Sequence, residues 1–278
     1  MQTSRKAGRD RPPQPATSAG STKEDRHFVT ALARGLDVLH AFRSGEERLS
    51  NQELAERCAL PKSTVTRLSY TLTKLGFLHH VSDSGRYRLG LKTLTLGGTT
   101  LSRLDVKEVS NPLLQDFANE TTTMVSLAIR DELSMLYIES CRSENSMLTL
   151  RLGIGSRLPL ATSAVGRGYL AGAPAGARQA LMERIQALDS AAWPQLKEGI
   201  TQAVHDLAQF GCVTSFGAWR KEINAIAVPM SLSPGLPLMV VNVAAGTQSV
   251  SADTFMSDIR PQLIALVRRI ETSYRVGA

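Results

Sequence analysis

The stretch from Leu49 to Leu75 constrains the fold most, because it predicts two short helices joined by a tight turn. Ser50 followed three residues later by Glu53 forms a capping box, which is the signature of a helix start. The helical pattern breaks at Ala59–Pro61, and a proline suits the first turn of a second helix, where its missing N–H is not needed. The stretch therefore predicts a pair of helices connected by a turn.

The second of these helices is expected to have one apolar and one polar face. The apolar stripe recurs at helical spacing and should face the core. It consists of Val65, Leu68, Leu72 and Leu75. Hydroxyl and basic side chains on the other face suit a DNA groove, because arginine can bond guanine bidentately and serine or threonine can reach bases or phosphates. A solvated polar face on an ordinary helical hairpin is the alternative. The polar face consists of Ser63, Thr66, Arg67, Tyr70 and Lys74.

A short hairpin is expected directly after the two helices. Phe77–Val81 and Arg86–Leu89 are strand-like and flank a polar turn that ends at Gly85. Two helices followed by a basic hairpin make a winged helix-turn-helix. Its wing would bring Arg86 and Arg88 near the minor groove or the sugar–phosphate backbone.

Candidate DNA contacts can be named from this arrangement. The amino end of the second helix, at Lys62 and Ser63, has free N–H groups that favour a phosphate. The residues expected to contact double-stranded DNA are Ser50, Asn51, Lys62, Ser63, Thr64, Thr66, Arg67, Tyr70 and Arg86.

The charge of the 278-residue chain supports this placement. The net charge is +7, and most of the excess lies near the amino end. Residues 1–26 carry six basic and three acidic side chains, residues 27–90 carry nine and six, and the remainder carries 17 and 16. The excess therefore lies on the part that would meet phosphate. Residues 1–26 have the composition of a disordered basic arm, which either adds phosphate contacts or is a passive tail.

Composition also excludes several classes of protein. No run of about 18 apolar residues predicts a transmembrane helix, and the amino terminus lacks the apolar segment of a secretory signal. The three cysteines, Cys58, Cys141 and Cys212, are far apart, which fits a reducing cytoplasm and neither a disulfide framework nor a zinc site. No cofactor or metal and no membrane partner is expected, and the expected location is the cytoplasm.

The chain divides into four expected parts. A basic arm at 1–26 and the winged helix-turn-helix at 27–90 are followed by a linker helix at 91–104, which carries Gly97 and Gly98 in its middle. Residues 105–278 form the last part, with strands and helices in clusters. Such clustering indicates an α+β domain rather than an alternating parallel array.

The α+β domain is expected to contain about six strands and five helices. The expected strands are Thr123–Ile129 and Leu133–Ile138 around a turn at 130–132, then Met147–Leu152, Cys212–Phe216, Ile223–Met230 and Leu238–Ala244. The expected helices are 105–119, capped by Asp105, then 162–171, 175–188, 195–209 and 254–274, with a break at 193–194.

These residues resemble the IclR family of bacterial transcription regulators over nearly everything after residue 27. The motifs that carry the resemblance are Leu60–Leu68 with Gly76–Phe77, Tyr87–Gly90 in the wing, Arg157–Leu160 with Ser163–Arg167, and Ala225–Pro229. The resemblance implies a GAF-like effector domain with a mainly antiparallel sheet, a homodimer or a dimer of two dimers, and a palindromic or repeated operator. It also implies a small organic acid as effector, and repression as the commoner output.

The resemblance further implies where an effector would bind. The family pocket lies between the sheet and the segment after residue 157. Carried onto this chain, its lining is Leu150, Leu158, Ala164, Val165, Ser215, Ile223, Ala225, Asn242 and Ala244. Arg157, Arg167 and Arg220 are further candidates to pair with a carboxylate.

Three positions depart from the family pattern. Thr66 stands where the family often has histidine, which is expected to alter base preference. Ser215 stands where some members are acidic, and Ala244 where some carry serine. A pocket with fewer polar groups favours a larger or more apolar acid.

Two other functions fit the carboxyl half. An enzyme would need a nucleophile such as Cys141, Cys212 or Ser163 near a base, but His205 is the one histidine there, and no GxSxG, HExxH or CxxC occurs. A domain that only oligomerises is the second alternative. Glycines at 153, 155, 166 and 168 around small residues argue against it if they place backbone next to a cavity. The alternative explanation of the same small residues is tight packing of a helix on the sheet.

Overall fold

The computed structural model describes residues 27–42, 46–101, 105–146, 152–233 and 235–277 of the chain. Four expectations fall wholly or partly elsewhere. The arm at 1–26, the end of the linker helix at 102–104 and the candidate pocket residue Leu150 lie outside the described residues. So does the expected strand Met147–Leu152 except for Leu152.

The amino-terminal part is three helices followed by a two-stranded hairpin. Its elements are α1 (Thr30–His40), α2 (Asn51–Cys58), α3 (Lys62–Lys74), β1 (Leu78–Val81) and β2 (Arg86–Leu89). Val38 of α1, Leu54 of α2 and Val65 of α3 are all completely buried in one cluster, so the three helices share a core. A β-bridge between Leu49 and Tyr87 ties the segment before α2 to the wing.

The expected start of α2 is present in atomic detail. The N–H of Glu53 donates to Ser50 Oγ at 3.2 Å, and the N–H of Ser50 donates to Glu53 Oε2 at 2.8 Å. Ala59 ends the helix in the left-handed conformation with φ of 53°. Pro61 occupies the N-cap position of α3, one residue earlier than the sequence pattern indicated.

The prediction that Leu75 belongs to the buried apolar stripe of α3 is wrong. Leu75 is 50% exposed, whereas Ser69, which the pattern did not include, is completely buried. At 100° per residue, Ser69 lies about 40° from Val65 around the helix and Leu75 lies about 80° away on the other side. Leu75 also follows the last helical residue, so it is free to turn outward.

The carboxyl-terminal part is built on one six-stranded sheet. Its strands are β3 (Met124–Asp131), β4 (Ser134–Arg142), β5 (Arg157–Pro159), β6 (Val213–Phe216), β7 (Ile223–Met230) and β8 (Met239–Gly246). The spatial order is β5-β4-β3-β8-β7-β6, and every neighbouring pair is antiparallel. The sheet therefore confirms an α+β class with a mainly antiparallel sheet of about six strands.

Helices cover both faces of this sheet. After the linker helix α4 (Leu91–Leu101), the helices are α5 (Val106–Thr121), α6 (Ala164–Gly172), α7 (Ala175–Leu188), α8 (Trp193–Phe210), α9 (Ala252–Thr254), a π-helical turn (Phe255–Ile259) and α10 (Arg260–Gly277). Helices α5 and α10 pack on one face and α6 on the other. No helix among the described residues combines the length and apolarity that a bilayer crossing requires.

The middle of strand β7 carries side chains of different size on its two faces. Strand β7 contributes Ile226 and Val228 to the core under α5 and α10, but Ala225 and Ala227 to the core under α6. Because strand residues alternate between faces, one strand can supply both surfaces. A Cβ on Gly168 of α6 would lie 3.0 Å from the Cβ of Ala227, so this helix approaches the sheet closely.

Two expected boundaries around the first hairpin need correction. Strands β3 and β4 pair as far as Asp131 opposite Ser134, so the turn is at 132–133 rather than 130–132. Polar residues at the sheet end continue the ladder, because backbone pairing does not depend on side-chain polarity. Asp105 does precede α5, but its side chain makes no capping hydrogen bond, since its backbone is already helical.

Three further elements differ from the sequence pattern. Helix α8 begins at Trp193, with proline in its first turn, so residues 193–194 start the helix rather than break it. Strand β5, three residues long, was not expected, because so short a segment carries no alternation to recognise. The closing helix, expected at 254–274, contains a π-helical turn at Phe255–Ile259.

Candidate nucleic-acid interface and ligand cavity

The polar face of α3 is open to solvent as the sequence indicated. Val65 holds the opposite face in the core with no exposure, and Tyr70 is 63% exposed. The exposed polar face comprises Ser63, Thr66, Arg67, Tyr70 and Lys74. Within the described part of the chain, the guanidinium of Arg67 has no ion-pair partner and the hydroxyl of Ser63 has no hydrogen-bond partner. These two side chains are therefore available to an external ligand.

Other candidate DNA contacts are held by neighbouring protein groups. Asn51 Nδ2 donates to Thr66 Oγ1 at 2.9 Å, and the Thr66 hydroxyl donates to the Lys62 carbonyl at 2.8 Å. The Lys62 ammonium donates to Gln52 Oε1 at 2.7 Å. Thr64 is half-buried on the same helix. Asn51 thus connects α2 to α3.

The capping residue and the wing are also linked to each other. Ser50 uses its side chain as the helix cap, and Arg86 Nη1 lies 3.4 Å from Glu53 Oε2. The hydrogen bonds from Ser50, and to a lesser degree the charge of Arg86, lower the pKa of Glu53. The wing is thereby attached to the start of α2 by charge as well as by the bridge at Leu49.

The structure brings the described members of the expected pocket together around one cavity under α6. All eight are buried: Leu158, Ala164, Val165, Ser215, Ile223, Ala225, Asn242 and Ala244. Sequence reasoning missed four other lining residues, which are Tyr137, Leu152, Ser163 and Trp219. Tyr137 could have been found from strand alternation, because it lies two residues after the buried Met135 in β4. Trp219 lies in a loop and carries no such signal.

The inner wall of the cavity has a polar end. Asn242 Nδ2 donates to the Tyr137 hydroxyl at 3.1 Å, while Asn242 Oδ1 has no hydrogen-bond partner among the described residues. Burial raises the pKa of Tyr137 far above its ordinary value, so the phenol stays neutral. A buried acceptor without a donor is unfavourable, so this oxygen can accept a hydrogen bond from a bound molecule.

The cavity is nearly closed in this structure. Its free volume is about 20 Å³, which is room for roughly one water molecule. None of the described residues that line it has a charged side chain. An organic acid would therefore need the wall to move outward, and its carboxylate would need dipoles rather than a cation at the wall.

The amino end of α6 supplies such dipoles. Ser163 caps this helix, because its Oγ accepts from the N–H of Gly166 at 3.1 Å and donates to the carbonyl of Pro159 at 2.7 Å. Ala164 and Val165, the first two helical residues, line the cavity. Unpaired N–H groups at a helix start favour an anion.

None of the three candidate arginines is among the lining residues. Arg167 Nε donates to the carbonyl of Ala161 at 3.0 Å, and burial lowers its pKa. Arg157 pairs with Asp131 on the sheet edge. Arg220 lies over the ring of Trp219 at 5.1 Å from its centroid. Arg167 therefore supports the segment before α6, and Arg220 contacts the lining residue Trp219.

The side chains considered as nucleophile or base are buried, act as a helix cap or lie on the surface. Burial raises the pKa of both Cys141 and Cys212 to about 11, which keeps these thiols protonated. Ser163 serves as a helix cap, and His205 is exposed on α8. In the described segments, no three His, Cys, Asp or Glu side chains are grouped to hold a metal ion.

Comparison with known proteins gives matches in both parts of the chain. A family model for the IclR helix-turn-helix domain matches residues 31–82, and one for the bacterial transcriptional regulator IclR C-terminal domain matches residues 98–272. The HTH-type transcriptional regulator TsaQ1/TsaQ2 of Comamonas testosteroni is 28% identical over 90% of this chain and 90% of its own length.

Solved structures extend the comparison to the fold. An IclR family transcriptional regulator from Brucella abortus is 38% identical, with a TM-score of 0.76 over 94% of this chain and 99% of that chain. An IclR homolog from Microbacterium hydrocarbonoxydans, solved with 4-hydroxybenzoate, is 22% identical, with a TM-score of 0.69 over 88% of this chain and 99% of that chain. The second likeness shows the fold alone.

A winged helix-turn-helix with an exposed polar recognition face, joined to a mixed domain with a buried cavity, defines a DNA-binding transcriptional regulator. The family models together cover most of the chain, and the chain belongs to the IclR family. Members of this family are transcriptional regulators rather than enzymes.

Proposed function

We propose that this regulator binds a specific operator through α3 and that a small organic acid in the cavity under α6 changes its affinity for that operator. The exposed face of α3 carries the first half of the proposal, since Arg67 and Ser63 are free of protein partners in the described chain. In a major groove, Arg67 would bond a guanine edge and Ser63 a base or phosphate. Arg86 of the wing would approach the backbone.

Two copies of the chain are expected to bind together. Leu32 and Leu36 recur on one side of α1, and Phe28 precedes the helix by two residues; they are 62%, 48% and 63% exposed, respectively. Leu91 and Leu94 of the linker helix are 81% and 70% exposed. Exposed apolar stripes of this kind support association with a second copy. A two-fold dimer would place two α3 helices in successive major grooves about 34 Å apart.

The cavity supports the second half of the proposal. Its apolar wall suits a hydrocarbon or aromatic body, the start of α6 suits a carboxylate, and Asn242 Oδ1 suits a hydrogen-bond donor on the ligand. The homolog solved with 4-hydroxybenzoate has the same fold, which supports testing aromatic hydroxy acids first. Because the cavity is nearly closed, a ligand that opens it has different affinities for the two states, which is the condition for regulation.

The location and output complete the proposal. We expect the protein in the bacterial cytoplasm, bound to the nucleoid when it occupies its operator. We expect repression as the output, with the domain limits given by the sequence, 27–90 for DNA binding and 105–278 for effector binding. A reporter gene behind the operator, measured with and without the regulator, distinguishes repression from activation.

Fluorescence anisotropy with labelled DNA from the region flanking its own gene tests the proposal. A sequence-specific complex at moderate salt, weakened or strengthened by one acid of a panel, is the expected result. A complex no tighter than that with scrambled DNA contradicts operator binding. An operator affinity that no acid of the panel changes, together with an unchanged melting temperature across the panel, favours the alternative in which the carboxyl-terminal domain only oligomerises.

A further inference from the structure

The Thr66 hydroxyl is occupied by the protein although Thr66 lies on the recognition face. Its single hydrogen is donated to the Lys62 carbonyl at 2.8 Å, and its oxygen accepts from Asn51 Nδ2 at 2.9 Å. A hydroxyl has one hydrogen to donate. Thr66 therefore cannot donate to a base edge while these bonds hold, and the oxygen is turned toward the helix backbone and α2.

The rest of the Thr66 side chain remains exposed. With the hydroxyl directed into the protein, the outward part of the side chain is the γ-methyl group. The apolar group that the major groove presents is the C5-methyl of thymine. Thr66 is one residue before Arg67 and three after Ser63, and all three are exposed on the same helix, so they would meet the same stretch of a major groove.

We propose that Thr66 determines operator sequence by contact between its γ-methyl group and a thymine methyl group, and not by hydrogen bonding. The inference rests on the proposed placement of α3 in the major groove. It assigns different chemistry to two similar residues of one helix face. Ser63 reads through its hydroxyl, which is free of partners in the described chain, and Thr66 reads through its methyl group.

Deoxyuridine substitution tests this chemistry, because uracil has the same hydrogen-bonding edge as thymine but lacks the methyl group. Operator sequences are first selected from random DNA with the full chain. Each thymine of the selected site is then replaced singly by deoxyuridine, and affinity is measured by anisotropy. We expect one thymine per half-site at which the substitution weakens binding about fourfold, the effect of one apolar carbon removed from contact.

Two variants assign the effect to Thr66. Thr66→Val keeps a methyl group and removes the hydroxyl, so it should retain the discrimination between thymine and uracil. Thr66→Ser keeps the hydroxyl and removes the methyl group, so it should bind the thymine operator and the deoxyuridine operator equally. Ser63→Ala is the matched control, which should weaken binding to both operators by the same factor. Melting temperatures of all three variants show whether each is folded.

The outcomes separate this inference from the proposed function. Discrimination between thymine and deoxyuridine that survives in Thr66→Ser would show that another group contacts the thymine methyl, and would overturn the inference. A selected operator with no thymine position sensitive to deoxyuridine would overturn it as well. Selection that enriches no sequence would instead overturn sequence-specific operator binding itself, and this inference with it.

Discussion

Asn242 of β8 donates a hydrogen bond to the hydroxyl of Tyr137 of β4 at 3.1 Å, two strands away in the sheet. Both side chains are nearly fully buried, at 3% and 1% exposure. Asn242 lines the cavity, and its amide oxygen has no hydrogen-bond partner among the described residues. The polar end of the cavity is therefore built by two residues that support each other.

The hydrogen bond between Tyr137 and Asn242 should couple the effects of replacing the two residues on stability. Tyr137→Phe leaves the Asn242 N–H without an acceptor, which costs about 1–3 kcal/mol. Asn242→Leu removes the donor, so the double variant should lose less than the sum of the single losses. Denaturant unfolding of the four proteins measures the coupling. Strictly additive losses would show that the bond contributes nothing to stability.

Arg67 should carry much of the base-specific affinity. Arg67→Ala is expected to weaken operator binding by about 1–3 kcal/mol, roughly 5- to 150-fold, and to relax selectivity at one base pair. Competition with scrambled DNA measures both effects. Arg269→Ala, which removes an exposed arginine from α10, is the control and should bind like the unmodified chain. An equal loss for specific and scrambled DNA would show a phosphate contact instead of base reading.

The capping box of α2 should make stability depend on pH in the acid range. The pKa of Glu53 is lowered by hydrogen bonds from Ser50 and by the charge of Arg86. Because the folded value lies below the unfolded value of about 4.3, the carboxylate's contribution is complete above that value and is lost as pH falls through the folded one.

Ser50→Ala tests this capping contribution. It should lower the free energy of unfolding at neutral pH by about 1 kcal/mol. It should also flatten the stability profile between neutral pH and pH 3. Denaturant titrations at several pH values measure both effects, and Gln52→Ala in the same helix is the control. An unchanged profile in Ser50→Ala would mean that other carboxylates determine the acid response.

Gly166 should tolerate no larger residue, because a Cβ there would lie 2.3 Å from the carbonyl oxygen of Leu160. Gly166→Ala must push α6 away from the segment that precedes it, at a loss of about 1–3 kcal/mol. Gly176→Ala in α7 is the matched control, since a Cβ there meets nothing within 4 Å. It should be neutral or up to about 1 kcal/mol more stable. Thermal unfolding of both variants checks the contrast, and equal melting temperatures would contradict it.

The winged domain could be predicted from local signals, because its elements are specified by neighbours in sequence. The capping box at Ser50 and the Gly-containing turn before Arg86 each act over a few residues. The polar face of α3 follows from helical period alone. What period did not reveal is that Thr66 is engaged by Asn51, fifteen residues earlier, since that bond depends on how α2 packs on α3.

The cavity, in contrast to the winged domain, could not be predicted from local signals in the sequence. Resemblance to the family brought Asn242 and Ser215 into one expected site, but the sequence contained no sign that Trp219, which lies in a loop, would join them. The exclusion of Arg157 from the lining follows from its pairing with Asp131. Such pairings join residues far apart in sequence, so periodicity cannot predict them.

The sequence by itself determined most of the helices and the longer strands, the polar recognition face and the small side chains, such as Ala225, that lie beneath α6. These properties depend on spacing and side-chain size, which are local. Only the tertiary structure decided which hydroxyls remain free, which arginines are paired and how little space the cavity holds. Those properties depend on the packing of distant segments, where a shift of about 1 Å makes or breaks a hydrogen bond.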